Sequence, residues 1–302
     1  MSREKIKIAF TRFCLLFIRM KQYTFDENYF DIIDTEDKAY VLGLLFADGY
    51  NYEVRGVVSI SLQERDKEIL EKISIAMKNT KPLQFVDMVK YHKGKSHQNQ
   101  YRLSFSSRHT SETLARLGCI QRKSYLCRFP TILAHLTSHF IRGYFDGDGC
   151  ISYTYDHRKR PCGSVSFVGS KHFCKSLSLL LKQLEINSNV SYEKRCNKHI
   201  RRIAFGGRNQ LVKFCKYIYE DASIYLNRKK AKFDDFITIS GNLLVANKST
   251  NVYRNTRGSK RPFRVVKTLN YKSIHLGSFE TRDEALKAST DWDKTHSSTS
   301  VE

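Results

Sequence analysis

The sequence is poor in the residues that mark fibrous chains, and it has far fewer acidic than basic side chains. Its 302 residues include only four prolines and fifteen glycines, which excludes a collagen-like or low-complexity chain. Lys and Arg number 52 against 30 for Asp and Glu, a net charge of +22. That excess points to a polyanion, most often nucleic acid, although it also suits an anionic membrane surface. Hydrophobic residues at 41% are enough for a folded chain of about two domains.

The sequence also lacks zinc motifs and a secretory signal. No two of its eight cysteines are spaced as Cys-x-x-Cys, and its ten histidines form no His-Glu-x-x-His pattern. The apolar-rich segment 6–20 is interrupted by Arg12 and Arg19 and is too short to span a bilayer. We interpret it as an amphipathic arm or an overlong start. We therefore expect an intracellular protein with reduced thiols and no membrane partner.

The predicted elements repeat after about 100 residues. A helix is expected after an N-cap at Asp34 or Thr35, ending at Gly49, and strands and helices follow up to residue 117. The same order recurs over 138–219. The predicted fold is α+β, with two pseudo-symmetric αββαββα halves and a small sheet-and-helix domain. The predicted segments are an N-terminal arm (1–34), a first half (35–133), a second half (134–240), a polar linker (241–252) and a small domain (253–302).

Two related segments begin these halves, residues 41–49 (VLGLLFADG) and 141–149 (IRGYFDGDG). Each has two small residues four positions apart on one helical face. Such faces let two helix backbones approach closely. The pairs are Gly43 with Ala47, and Gly143 with Gly147.

Each segment then places an aspartate, Asp48 or Asp148, at the helix C-terminus. This is the unfavourable end for a carboxylate, because the helix dipole is negative there. If the two helices pack side by side, the two carboxylates repel unless a cation lies between them. Oxygen ligands favour Mg²⁺, or Mn²⁺ in its place. With a basic surface, this arrangement indicates metal-assisted phosphodiester hydrolysis.

The two segments resemble the paired motifs of single-chain LAGLIDADG homing endonucleases, and the resemblance covers residues 24–240. It implies two sheets forming a saddle over the DNA major groove, with the motif helices between them. It also implies that Asp48 and Asp148 are catalytic metal ligands, one for each strand cleaved, and that the breaks have short 3′ overhangs. Backbone groups of Ala47 and Gly147 are further candidate ligands.

The second motif departs from the first at two positions. Asp146 stands where the first copy has Phe46, and we expect local contacts rather than metal binding from it. Arg142 is expected to face solvent or DNA. The family also has a basic residue near each site, which implies catalytic roles for Lys123 and Lys229. Solvated tails are an equally open interpretation, and the neighbouring Arg122, Arg228 and Lys230 are alternatives.

Polar side chains alternate along several predicted strands and are candidates for reading base edges. A plain solvent-exposed sheet is the alternative. The basic stretch 194–202 is expected to hold phosphates, with a charged hairpin tip as its alternative. The strand-face candidates are Ser59, Ser61, Gln63, Arg102, Ser104, Ser164, Ser166, Arg195 and Arg202, and the basic stretch includes Lys194.

Residues 253–292 resemble the plant ethylene-response-factor (Apetala-type) DNA-binding domain, through Phe263, the segment 275–279 and Thr281 among others. That resemblance implies a three-stranded sheet backed by one helix, with the sheet in the major groove. A small structural cap is the alternative. The residues implied to touch DNA are Arg254, Arg257, Arg261, Arg264 and Lys267.

Together these features predict a monomeric, Mg²⁺-dependent, site-specific double-strand DNA endonuclease. Double-stranded DNA is its expected partner, with no obligate protein partner, and a phage or mobile element is its expected source. The alternative is a catalytically silent nucleic-acid-binding protein, such as an RNA maturase or a transcription regulator.

Overall fold

A computed structural model describes residues 22–296 apart from 89–97, 122–125, 158–159, 193–199, 249–251, 255–259 and 270–271. The chain divides into two compact units. The larger contains the residues up to Tyr153 together with Cys162–Phe233, and the smaller contains Thr154–Pro161 and the residues from Asp234 onward. Within the described residues, every helix is too short or too polar to cross a bilayer.

The first half has the predicted order of elements around one antiparallel sheet. In the sheet, the strands lie in the order β1-β2-β4-β3. Val58, Ile60 and Leu62 on β2 are buried against the helices, and the alternating polar residues face the other way. The elements are α1 (Glu36–Asp48), β1 (Gly49–Tyr52), β2 (Val57–Gln63), α2 (Lys67–Ala76), β3 (Gln84–Val86), β4 (Gln100–Ser106) and α3 (Arg108–Arg116).

The second half repeats this arrangement. Its sheet has the order β5-β6-β8-β7, so corresponding strands occupy the same places as in the first sheet. The predicted α+β repeat is therefore confirmed. The elements are α4 (Thr137–Asp148), β5 (Gly149–Tyr155), β6 (Pro161–Ser170), α5 (Lys171–Gln183), β7 (Asn189–Tyr192), β8 (Ile200–Gly206) and α6 (Arg208–Tyr219).

The start of α1 settles the open choice of N-cap. The Thr35 hydroxyl accepts a hydrogen bond from the Lys38 backbone N–H, and the Asp34 carboxylate instead binds the Lys38 ammonium at 2.8 Å. The preceding residues also contact the first half, because the backbone N–H of Asp26 donates to the Met77 carbonyl. The end of the segment predicted as an arm therefore packs on the first half.

Helix α7 (Asn227–Lys248) follows α6 and begins within the segment predicted as the second half. It continues into the segment 241–252, whose polar composition suggests a linker. Polar composition argues against a buried face but does not prevent helix formation. The helical backbone in this part of the chain was not predicted.

The smaller unit contains the predicted three-stranded sheet and helix. Its strands are β9 (Val252–Arg254), β10 (Phe263–Leu269) and β11 (Lys272–Phe279), with β10 in the centre. Helix α8 (Arg282–His296) begins with a capping box between Thr281 and Glu284. Val265 of β10 and Ala285 of α8 are fully buried.

The structure overturns one prediction in this unit. Lys267 is expected at a DNA interface, but it is buried and its ammonium lies 2.5 Å from an Asp293 carboxylate oxygen. It follows Val265 at a spacing of two along β10, so both side chains lie on the same face of the strand. The sequence did not show which face of β10 the helix would cover.

Candidate metal and nucleic-acid site

Helices α1 and α4 pack with their backbones in close contact, as the small-residue pattern predicts. A methyl group added at Gly43 would lie 2.0 Å from the Phe140 carbonyl oxygen. One added at Gly143 would lie 2.0 Å from the Tyr40 carbonyl oxygen. Glycine is therefore required at both positions, and the two contacts are reciprocal between the helices.

The two helix ends meet as well. A methyl group at Gly147 would lie 2.2 Å from the Ala47 methyl carbon and 3.0 Å from Asp48 Oδ2. Asp48 and Asp148 are the last residues of their helices and are both exposed. Both carboxylates also act on one side chain: burial raises the pKa of Tyr144 first, and the negative charges of Asp148 and Asp48 raise it further.

This meeting point is electrostatically unfavourable for carboxylates. Both helices are described throughout, and neither has a basic residue in its last turn to offset the dipole. Among the described residues, no group of three or more His, Cys, Asp or Glu side chains forms a metal cluster. Two exposed carboxylates at adjacent helix ends nevertheless fit a hard divalent cation whose other ligands are backbone, phosphate or water oxygens.

Lys229 lies at the end of α4. Its ammonium donates to the carbonyl oxygens of Phe145, Asp146 at 2.7 Å and Gly149 at 2.7 Å, with the Gly147 carbonyl at 3.4 Å. The Asp146 and Gly147 carbonyls are among those that a helix leaves without helical partners at its C-terminus, whereas the Phe145 carbonyl also accepts from the Gly149 N–H. With 5% exposure, Lys229 is not a solvated tail. It caps the helix that carries Asp148.

The surroundings of Lys229 make its ammonium a stronger acid than the ammonium of an exposed lysine. Burial lowers its pKa to about 8, and the nearby Arg228 guanidinium adds to this lowering. The carboxylates of Asp146 and Asp48 act in the opposite direction. A lysine whose pKa is lowered in this way releases its proton more readily than an exposed one.

Asp146 makes hydrogen bonds within the protein, but its partners are distant along the chain and not local as expected. Its Oδ2 accepts hydrogen bonds of 2.8 Å from the Tyr40 hydroxyl and from the Leu226 backbone N–H. Burial raises the pKa of Asp146 to about 6, although both hydrogen bonds lower it in part.

The expectation for Arg142 is wrong. Its side chain is 1% exposed and faces neither solvent nor DNA. The guanidinium donates to the carbonyls of Ile218 at 2.8 Å and Ile224 at 2.9 Å, and it binds Glu36 at 2.6 Å. Burial is possible because these acceptors satisfy it. They come from distant parts of the chain, so the sequence around position 142 gave no sign of them.

The open face of the first sheet is polar. Ser59 lies opposite Ser104, and Ser61 lies opposite Arg102. Arg102 donates to the Ser61 hydroxyl at 3.0 Å. Ser104 accepts a hydrogen bond from Lys81, a residue that the sequence analysis did not select.

Two tyrosines on this face were also missed. Tyr50 pairs with Ser59 in the register and is 53% exposed, and its ring stacks on Tyr52 at 6.1 Å between centroids. Residues 49–52 form strand β1, which directly follows the motif helix. The alternation of tyrosines at 50 and 52 was the available signal.

The second sheet has a corresponding polar face. Arg202 donates to the Ser166 hydroxyl at 3.0 Å, and the Ser164 hydroxyl lies 3.2 Å from that of Ser152. Ser166 is buried, so it supports Arg202 rather than standing free as a base reader.

The remaining predicted contacts fall in two groups. Arg264 is exposed on β10, opposite Tyr253 and Ser278, and Arg261 is exposed 3.7 Å from Glu280. Arg254 lies on β9. Lys123, Arg122, Lys194, Arg195 and Arg257 lie outside the described residues.

Comparison with known proteins gives a match for the second half. Residues 136–219 match the family model described as LAGLIDADG-like domain. The matched residues run from the start of α4 to the end of α6 and include Asp148. It covers less than half of the chain.

A curated relative matches a somewhat longer stretch. The probable translation initiation factor IF-2 of Methanocaldococcus jannaschii is 33% identical over 98 residues. That alignment covers 30% of this chain and 8% of the archaeal protein, so the chain spans a small part of its relative's length.

Solved structures similar to the chain include two DNA complexes. Meganuclease I-SmaMI bound to uncleaveable DNA is 11% identical, with a TM-score of 0.47 over 69% of this chain and 91% of that one. The LAGLIDADG homing endonuclease I-LtrWI bound to target DNA is 10% identical, with a TM-score of 0.46 over 74% of this chain and 92% of that one.

Proposed function

We propose that this protein is a divalent-metal-dependent, site-specific endonuclease of double-stranded DNA. The observation that carries the proposal is the meeting of two helix C-termini, each ending in an exposed aspartate, where Gly147 lets Asp48 approach. The match of residues 136–219 to the LAGLIDADG-like domain supports it. The net charge of +22 fits a polyanionic substrate.

Asp48 and Asp148 are the residues that would hold Mg²⁺ or Mn²⁺. When bound, such an ion lowers the pKa of an attacking water and offsets charge on the scissile phosphate. The backbone carbonyls of Ala47 and Gly147, which directly precede the two aspartates in the sequence, are the next candidates for oxygen ligands. Lys229, at the end of α4, offsets negative charge there, since the carboxylates of Asp146 and Asp48 both act on it.

The open sheet faces supply the DNA contacts in this proposal. Arg102 and Arg202 lie on matching central strands, β4 and β8, and each is supported by a serine hydroxyl. Arginine in such a position presents a planar fork to guanine edges or phosphates. The smaller unit adds contacts through the exposed Arg264 and so lengthens the recognised site.

The proposal is tested by cleavage of a random duplex library. The full chain is incubated with the library in Mg²⁺ or in EDTA, and the ends of the products are sequenced. We expect metal-dependent cuts at a preferred sequence, with short 3′ overhangs. Binding without cleavage in Mg²⁺ and Mn²⁺ would refute the nuclease and favour the silent nucleic-acid-binding alternative.

A further inference from the structure

A polar network joins the motif helices to the segment that precedes α7, and its Tyr40, Arg142 and Asp146 side chains are buried. Glu36 is the first residue of α1, and its Oε1 accepts a hydrogen bond of 2.7 Å from the Ser223 backbone N–H. The same oxygen binds Arg142 of α4 at 2.6 Å. Both motif helices therefore contribute a charged group to the same contact.

The network holds the segment 218–226 by its backbone. Arg142 binds the carbonyls of Ile218 and Ile224, and Asp146 accepts from the Leu226 N–H at 2.8 Å. Tyr40 of α1 donates to the same Asp146 oxygen at 2.8 Å. Buried groups with this many partners hold a segment in one arrangement.

Lys229 follows this segment directly. Its backbone N–H donates to the Leu226 carbonyl at 3.0 Å, in the first turn of α7. On the neighbouring residue, Arg228 makes a two-pronged ion pair with Asp66 at 2.9 and 3.0 Å. The backbone that carries Lys229 is thus fixed on both sides.

We propose that Glu36, Tyr40, Arg142 and Asp146 are positioning residues that seat the Lys229 ammonium on the end of α4. The first motif has Phe46 at the place of Asp146, so the carboxylate of this network has no counterpart in the first motif. The proposal assigns a use to the two residues by which the second motif departs from the first. The effect that this positioning has on cleavage rests on the proposed nuclease function.

The first experiment measures the position of Lys229 without reference to activity. The full chain is labelled with an N-hydroxysuccinimide ester, and the reaction rate of Lys229 is followed by mass spectrometry, with the exposed Lys182 as internal reference. Tyr40→Phe and Asp146→Asn are compared with Tyr29→Phe. Tyr29 has a buried hydroxyl with no hydrogen-bond partner among the described residues, so its variant is a matched control.

We expect Tyr40→Phe and Asp146→Asn to raise labelling of Lys229 about 3- to 10-fold, the range for losing one hydrogen bond. Lys182 labelling and the Tyr29→Phe variant should match the wild type. Unchanged Lys229 labelling in both network variants would overturn the proposal, whether or not the protein cleaves DNA.

The second experiment asks whether the network acts through Lys229. Single-turnover cleavage in Mg²⁺ is measured for Asp146→Asn, Lys229→Met and the double variant, alongside affinity for the same duplex without metal. We expect Asp146→Asn to slow cleavage about tenfold with unchanged affinity, and to add no further loss to Lys229→Met. Additive losses would overturn the positioning role. Failure of the wild type to cleave any duplex would instead remove the proposed function and leave the labelling result to decide the seating of Lys229.

Discussion

At the scale of single residues, the polar groups inside the motif helices decide how the second half is built. Arg142 and Asp146 would be costly to bury alone. Arg142 has one near partner, His139 at 2.9 Å, but the backbone groups that the two residues bind lie 76 or more positions away along the chain. Nothing local to positions 142 and 146 shows those partners. The sequence identified both residues as unusual but could not predict their surroundings.

Replacing the interface glycines tests the close approach of the motif helices. Gly43→Ala and Gly143→Ala each put a methyl group 2.0 Å from a backbone oxygen of the other helix. Because backbone cannot move aside as a flexible side chain can, we expect each to lower the free energy of unfolding by about 1–3 kcal/mol or more. Urea denaturation measures this loss, and an unchanged midpoint would show that the helices are not in contact.

The acid sensitivity of His139 is a second test at this scale. Burial lowers the pKa of His139 below its ordinary value of 6.5, and the Arg142 guanidinium lowers it further. The unfolded chain therefore takes up this proton more readily, and the stability contributed by neutral His139 is lost as pH falls through 6.5 and below.

We expect His139→Gln to lose less stability than the wild type between pH 7.5 and 5.5. The urea midpoints of the two proteins are compared at several pH values. The contributions of the other titrating groups are the same in both proteins and cancel in the difference. Parallel pH profiles for the two proteins would contradict this assignment.

At the scale of elements, periodicity predicted most helices and central strands. Strand β2 and helix α5 agree closely with the apolar periodicity of their sequences, because one face of each is buried. The predicted order included a strand at the place of β1 but gave it no bounds, and the continuation of α7 beyond residue 240 was missed. Both lack a one-sided apolar pattern, so composition alone could not distinguish them from loops or linkers.

The arginines of the two central strands test the role of the sheet faces. We expect Arg102→Gln and Arg202→Gln to weaken binding to the selected duplex. If each arginine holds a phosphate, each change also reduces by about one the slope of the logarithm of the binding constant against the logarithm of the salt concentration. Affinity measured across a salt series distinguishes this from loss of base reading, which would relax sequence preference instead. Lys182→Gln, on helix α5 of the same unit, is the control. Equal effects of all three variants would mean only that net charge matters.

At the scale of the whole molecule, the repeat explains why the site exists at all. Duplication places an aspartate at the end of each of two matching helices, and the small residues bring those ends together. The sequence predicted this meeting from two short segments. It could not predict Lys229 as the cap of α4, because that contact joins positions 80 residues apart.

The central claim is that Asp48 and Asp148 form one metal-dependent cutting site on DNA. The most direct test is strand-resolved cleavage of the selected duplex in Mg²⁺ by Asp48→Asn and Asp148→Asn. Asp291→Asn, an exposed aspartate on α8, is the matched control. We expect both variants to bind the duplex as the wild type does and to make no double-strand breaks, while the control cuts normally. Full double-strand cleavage by either variant would contradict the claim.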